Sequence, residues 1–202
     1  GEVRPSDEVL LSFCPWGAAQ EGKDRWLAEV AGVNLTKKPV YGWCSWYRSM
    51  RNITQEDILA MTDYLGKNRN KLPMEVFQID DGWQKGRTAN SARKKGVWEG
   101  YYASDPDFWK PDPDKFPEGL RPLSAYAASK EVKLALWFSP DSSRDFKNWK
   151  RDASTLLELW RKCRITAFKL DGVKLRTKAA ERNYLSLLSR VTEESKGVIA
   201  LQ

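Results

Sequence analysis

MEVFQIDDGW, residues 74–83, opens as a short apolar run and ends in two adjacent carboxylates, a glycine and a tryptophan. Runs of the same kind occur at VYGWCSW (40–46), VKLALWF (132–138), ITAFKLD (165–171) and, more weakly, GVIALQ (197–202). Each is rich in β-branched and aromatic residues and apolar enough to be buried on both faces, the habit of parallel strands covered by helices. Helical spacing of apolar residues fills the gaps: ITQEDILAMTDYLGKN, GLRPLSAYAASK, DASTLLELWRKC and KAAERNYLSLLSRVTEES. Thr54 and Asp57 stand at capping-box spacing at the start of the first. Strand starts lie 34, 58, 33 and 32 residues apart. A βαβ unit needs roughly 30 residues, so three gaps fit and the second carries an insertion, the Trp/Pro/Asp-rich stretch from Trp83 to about Phe116.

Helices between successive strands leave an open doubly wound sheet or a (β/α)8 TIM-type barrel. No GxGxxG or GxxxxGK[ST] follows the first strand, which weakens the nucleotide-binding option. Polar and aromatic residues instead close every strand: Trp43 and Trp46, Asp80 and Asp81, Trp137 and Asp141, Lys169 and Asp171. A barrel builds its active site from several such strand ends. The expected fold is therefore an α/β barrel represented by roughly its first five β/α units, since a whole one takes about 250 residues. Residues 1–38 read as a linker or the end of a preceding domain, with a helix around Trp26, Leu27 and Val30. Residues 39–202 read as the N-terminal part of the barrel.

Composition removes several chemistries. The 202 residues include no histidine, which rules out Ser-His-Asp and Cys-His systems, His-ligated zinc and an imidazole base. Cys14, Cys44 and Cys163 are far apart, so at most one bridge could form and no zinc ribbon is expected. No apolar run approaches ~18 residues, and the opening GEVRPSDEVL is not a signal peptide. The compartment is not readable. Lys and Arg number 34 against 27 Asp and Glu, a net +7. The charge is spread over mixed-sign helical faces except in RTANSARKK (87–95), which reads as a loop. A nucleic-acid partner is not expected, and salt-steep DNA or RNA binding would be its mark.

Lys169 and Asp171 are two apart on one strand and point to the same side. An ammonium beside Asp171 would hold it ionised, the state of a nucleophile or charge stabiliser. A structural ion pair inside the barrel fits the pattern equally well. Asp80 and Asp81 with Gly82 and Trp83 suggest a sugar clamp, in which carboxylates hold hydroxyls and an indole covers the C–H face. An Asp-Gly turn or a magnesium site are the competing readings, though no phosphate loop or third acid supports the metal. Of the ten tryptophans, Trp26, Trp149 and Trp160 fall on helical patterns, while Trp43, Trp83, Trp98, Trp109 and Trp137 lie near strand ends or in the insertion. Cys44 reads as a buried thiol.

YGWCSWY, FQIDDGWQ, LALWFSPDSS and AFKLDGV, in order and with PDKFPEGL between the second and third, resemble the catalytic barrel of the α-galactosidases of glycoside hydrolase family 36, the melibiase and raffinose-synthase-like branches included. The resemblance runs from about Pro39 to Gln202. It implies a hydrolase of α-galactosides with no cofactor and no metal, in which Asp171 is the nucleophile. It further implies Asp80 and Asp81 on the galactose hydroxyls, Lys169 in contact with substrate, and Trp83, Trp43, Trp137 and Trp98 around the sugar. Ser139-Pro140-Asp141 departs from the acids many members carry there. The family's acid/base comes from a sixth strand, expected beyond Gln202, and the rest of the barrel is the expected partner of this segment. Galactosyl transfer of the raffinose-synthase type and a non-catalytic carbohydrate-binding barrel are the alternative functions.

Overall fold

The computed structural model describes residues 40–86 and 99–202. The helix expected near Trp26, the basic run at 87–95 and Trp98 lie outside the described residues. Five parallel strands, β1 (Gly42–Cys44), β2 (Val76–Ile79), β3 (Lys133–Phe138), β4 (Ala167–Leu170) and β5 (Ala200–Leu201), form one sheet in chain order. Each joins the next through helical segments: α1 (Trp46–Ser49) with a 3-10 turn, then α2 (Gln55–Lys67); α3 (Tyr101–Ser104) and α4 (Leu120–Ser129); α5 (Trp149–Cys163); and α6 (Lys178–Glu194). The β/α alternation read from the sequence is the architecture.

Local chemistry sets the helix starts. Thr54 accepts from the Asp57 amide while Asp57 accepts from the Thr54 amide, a reciprocal cap worth about 1 kcal/mol. Thr177 caps α6 by accepting from the Ala180 amide at 3.0 Å. At the other end of α5, Arg164 takes a left-handed conformation, φ 61°, and turns the chain into β4.

The register fixes which side chains share a face. Phe77 pairs with Leu134, and Leu136 with Phe168. These four and Ile79 are buried under the helices, each side chain contributing about 1.5–3 kcal/mol. The opposite face carries Cys44 beside Gln78, and Trp137 beside Lys169. β3 is buried on both faces from Leu134 to Phe138, as expected, but the other strands depart from that expectation. Val76, Gln78 and Lys169 are only half-buried, and Lys133 is exposed. Alternation with period 2 explains it: one face is uniformly apolar and the other carries the polar residues.

The described part of the insertion, residues 99–116, folds back over the strand ends as an aromatic cap. Trp109 packs 4.2 Å from Phe138 and 5.9 Å from Trp83 between ring centroids, and Tyr101 stacks on Phe108 at 4.5 Å. Beneath it lies a buried polar network. The Tyr101 hydroxyl donates to the Ser139 carbonyl at 2.6 Å, and the Tyr102 hydroxyl to Asp152 at 2.6 Å. The Asp141 amide donates to Asp152, while the Asp141 carboxylate accepts from Gly100 N and Asn148 Nδ2.

Burial pushes the Asp152 carboxyl up from 3.8 to about 7, and the Asp141 charge adds to it against the hydrogen bonds from Tyr102 and the Asp141 amide. A raised carboxyl pKa in the folded state makes stability fall as pH rises. Below about pH 4 both states hold the proton. Between about 4 and 7 only the folded state does, and each unit costs at most about 1.4 kcal/mol. Asp152→Asn is therefore expected to lose this slope. The difference in Tm between wild type and variant should move in the variant's favour from pH 4.5 to 7.5. A constant difference would contradict the assignment.

Candidate functional site

Asp80 and Asp81 follow β2, and Asp171 follows β4. The Asp80 amide donates to Ser45 Oγ at 2.9 Å, which ties the end of β2 to the end of β1. Its carboxylate is buried, with Oδ2 accepting from Lys169 Nζ at 2.9 Å, Gln78 Nε2 at 3.2 Å and Cys44 Sγ at 3.4 Å. Three donors from three strands thus converge on one oxygen. Burial lowers the Lys169 pKa, but the hydrogen bond and charge of Asp80, helped by Asp171, outweigh it and the net shift is upward. Lys169 is a cation at neutral pH. Burial raises the Cys44 pKa above its ordinary 9.0, so its thiol is a neutral donor.

Asp81 is held differently. Arg51 Nε reaches its Oδ2 at 2.9 Å, and Gln84 Nε2 its Oδ1 at 2.6 Å. Lys115 Nζ donates to the carbonyls of both Arg51 and Gly82, binding the turn together. At Gly82 φ is 115°, and a Cβ there would come within 2.5 Å of the Arg51 carbonyl oxygen. Gly82→Ala is accordingly expected to lower stability by about 3 kcal/mol, since left-handed strain and a backbone collision add. Thermal unfolding checks this; an unchanged Tm would mean the turn relaxes freely.

Asp171 is exposed, unlike Asp80. Its amide donates to the Phe138 carbonyl at 3.0 Å, its Oδ2 accepts from Trp137 Nε1 at 3.0 Å, and its Oδ1 from the Gly172 amide at 2.7 Å. Lys169 projects from the same face but takes Asp80 as its hydrogen-bonded partner. The physical reason is burial: Asp80 has no water to neutralise it and needs the ammonium more than the solvated Asp171 does.

The structure therefore brings Asp80, Lys169, Trp137 and Asp171 together, with Asp81 adjacent, its amide N–H donating to Asp80 Oδ1 at 2.9 Å. Trp83 is placed elsewhere. It is 0% exposed, its indole N–H donating to the Trp137 carbonyl at 2.8 Å, so no ring face is free for a sugar. Trp137 is likewise buried and presents its N–H to Asp171. Trp43 pairs in register with Phe77 and meets it edge-on at 5.1 Å, on the helix side of the sheet. It lines a cleft with Met61 and Tyr64 of α2, away from Asp80. The expected indole stacking has no surface among the described tryptophans of the site. Cys44, Gln78, Arg51 and Gln84 were not anticipated there. Gln78 was within reach of counting, two residues before Asp80 and so on its face. Among the described residues no three His, Cys, Asp or Glu side chains form a group suited to a metal, and no helix is long and apolar enough to cross a membrane.

No family model matches the chain. Solved structures similar to it include α-galactosidase I from Mortierella vinacea, with a TM-score of 0.56 and 21% identity over 81% of this chain and 38% of that one. Another is the α-galactosidase of Thermus thermophilus in complex with p-nitrophenyl α-D-galactopyranoside, with a TM-score of 0.54 and 22% identity over 79% of this chain and 37% of that one. A stretch of 82 residues is 27% identical to α-galactosidase 2 of Pediococcus pentosaceus, spanning 41% of this chain and 10% of that protein. The chain thus covers well under half the length of these proteins. The likeness shows the fold: four consecutive β/α units and a fifth strand of a TIM-type barrel.

Proposed function

We propose that this chain forms part of the catalytic barrel of a retaining α-galactosidase of the family 36 type. The observation that carries the reading is the gathering of Asp80, Lys169 and Asp171 towards the C-terminal ends of β2 and β4, the parallel strands on either side of β3, where a barrel does its chemistry. The likeness of the sheet to α-galactosidase barrels supports it. In this mechanism Asp171 attacks the anomeric carbon as the bond to the leaving oxygen breaks, and a galactosyl-enzyme forms. A second carboxyl about 5–5.5 Å away protonates the leaving oxygen and then draws a proton from the attacking water. We assign that acid to a strand end outside this chain. Asp80 and Asp81, fixed by their protein donors, accept hydrogen bonds from the galactose hydroxyls. Trp137 aims Asp171, and Trp83 supports Trp137 from behind.

The test is hydrolysis by the complete protein carrying this chain. p-Nitrophenyl α-galactoside should be turned over and its β anomer left untouched, with α-galactose the first product seen by proton NMR. β-Galactose as first product would replace retention with inversion, and no turnover of the α anomer would remove the proposal.

A further inference from the structure

The motif PDKFPEGL, residues 113–120, takes no part in the proposed chemistry, yet the structure sets it against the turn that carries the paired aspartates. The chain leading into it runs antiparallel to the one leaving β2. Gln84 bridges Pro111, and the Asp112 amide donates to the Trp83 carbonyl at 2.9 Å. A turn follows, in which Asp112 Oδ1 accepts from the Asp114 amide at 3.0 Å and the Asp112 carbonyl from the Phe116 amide at 2.8 Å. Phe116 is buried and pins this turn in the core, while the Lys115 carbonyl accepts from the Gln55 amide at 3.0 Å. The backbone of Lys115 is thus fixed on both sides. Its Nζ reaches the carbonyls of Arg51 at 2.6 Å and Gly82 at 2.8 Å, 64 and 33 residues earlier, with the Asp112 carboxylate 4.0 Å away. Two carbonyl oxygens turned towards one point repel each other, and an ammonium between them reverses the sign of that interaction.

Both carbonyls belong to residues that bracket Asp81. Gly82 is its neighbour in the chain, and the Gly82 amide donates at 3.0 Å to Gln84 Oε1, whose own amide nitrogen holds Asp81 Oδ1. Arg51 supplies Nε to Asp81 Oδ2 at 2.9 Å. The two backbones lie so close that a Cβ on Gly82 would come within 2.5 Å of the Arg51 carbonyl oxygen. Any shift of either carbonyl therefore moves the frame in which the Asp81 carboxylate is held. A carboxylate offers about four acceptor positions, so the donors from Arg51 and Gln84 leave capacity for a substrate hydroxyl. We propose that Lys115 is a positioning residue for the sugar clamp: reaching in from the insertion, it locks Arg51 to Gly82 and so fixes the angle at which Asp81 meets one galactose hydroxyl. The inference rests on the α-galactoside reading and gives PDKFPEGL its part in it.

The test crosses variants of the complete protein with p-nitrophenyl α-galactosides that each lack one ring or side-chain hydroxyl. Asp81→Asn identifies the hydroxyl that Asp81 holds, as the deletion whose penalty in kcat/KM shrinks most. Lys115→Met should lower kcat/KM for the intact galactoside by about tenfold or more, since small misplacements of a binding group are expensive. It should also shrink the penalty for that same deletion by about fivefold or more, while the penalties for the others stay within about twofold. Lys115→Arg, which keeps a cation with several donors, should recover most of both. A lysine with a merely structural role would lower every substrate by a common factor, and that result overturns the inference. So does a Lys115→Met protein within about twofold of wild type, or an Asp81→Asn protein in which no deletion penalty shrinks. Lys115→Gln can still donate to one of the two carbonyls. It should give an intermediate result with the same selectivity, and it keeps the test decisive should the methionine variant fail to fold. Turnover of the intact galactoside by wild type, with any of these overturning patterns, leaves the galactosidase reading standing. No turnover by wild type overturns both.

Discussion

Asp171→Asn should reduce hydrolysis of p-nitrophenyl α-galactoside by about a thousandfold or more while leaving the fold intact. The amide keeps the carboxylate's shape, and its oxygen can still accept from Trp137 Nε1. What it forfeits is the bond from the Gly172 amide, because an NH2 group then faces an N–H. That exchange costs about 1 kcal/mol at an exposed position, so Tm should move by only a few degrees. Nucleophilicity is lost altogether, since an amide nitrogen or oxygen does not displace the leaving group at a useful rate. In Asp171→Ala, where truncation leaves room, a small anion such as azide should restore part of the lost rate by attacking the anomeric carbon from the vacated side. Its product would be β-galactosyl azide, opposite in configuration to the substrate. A variant retaining even a tenth of wild-type turnover would take Asp171 out of the nucleophile's role. Trp137→Phe offers the complementary measurement: with the aiming N–H gone and Asp171 still present, kcat should fall far less than in the Asn variant.

The strands, their order and most of the helices were legible because each rests on a local pattern. Period 2 in FQID and AFKLD, period 3.6 in the helices, and Thr54 with Asp57 at a cap are all written within a few residues of one another. The common face of Lys169 and Asp171 follows from the same counting. The partner of Lys169 does not. It is set by the lateral register, Phe77 against Leu134 and Trp137 against Lys169, which brings Asp80 alongside from a strand 89 residues earlier. The tryptophans misled for a related reason. Position near a strand end suggested access, yet the turn at Gly82 sends Trp83 beneath the aromatic cap of the insertion, whose packing has no periodic signature. Trp43 was decided by parity: it lies in register with Phe77, and Cys44, one residue on, is the side chain that faces Asp80. Arg51, in a 3-10 turn, had no pattern to announce it.

Lys169→Met carries the second large effect. Methionine approximates the length and apolar stem of lysine without the charge, so the change isolates the ammonium. In its absence Oδ2 of the buried Asp80 faces only the neutral donors Gln78 and Cys44. Breaking a buried pair by removing one member is costly because the survivor stays buried. Lys169 is itself 38% exposed, however, which tempers the loss to about 1–2 kcal/mol. The expected fall in kcat/KM is larger, about a hundredfold, because a carboxylate that shifts or protonates no longer holds the galactose hydroxyl where Asp171 must attack, and small misplacements are expensive. Most of that fall should lie in kcat if the hydrogen bond tightens in the transition state. Lys169→Arg should recover part of it, retaining charge but crowding the space. Adding Asp80→Asn to Lys169→Met should restore stability without restoring activity, since it removes the stranded charge but not the need for a carboxylate. If Lys169→Met left both kcat and KM within twofold of wild type, the ion pair would be scaffolding alone, and the chemistry would have to be sought in Asp81 and its Arg51 partner.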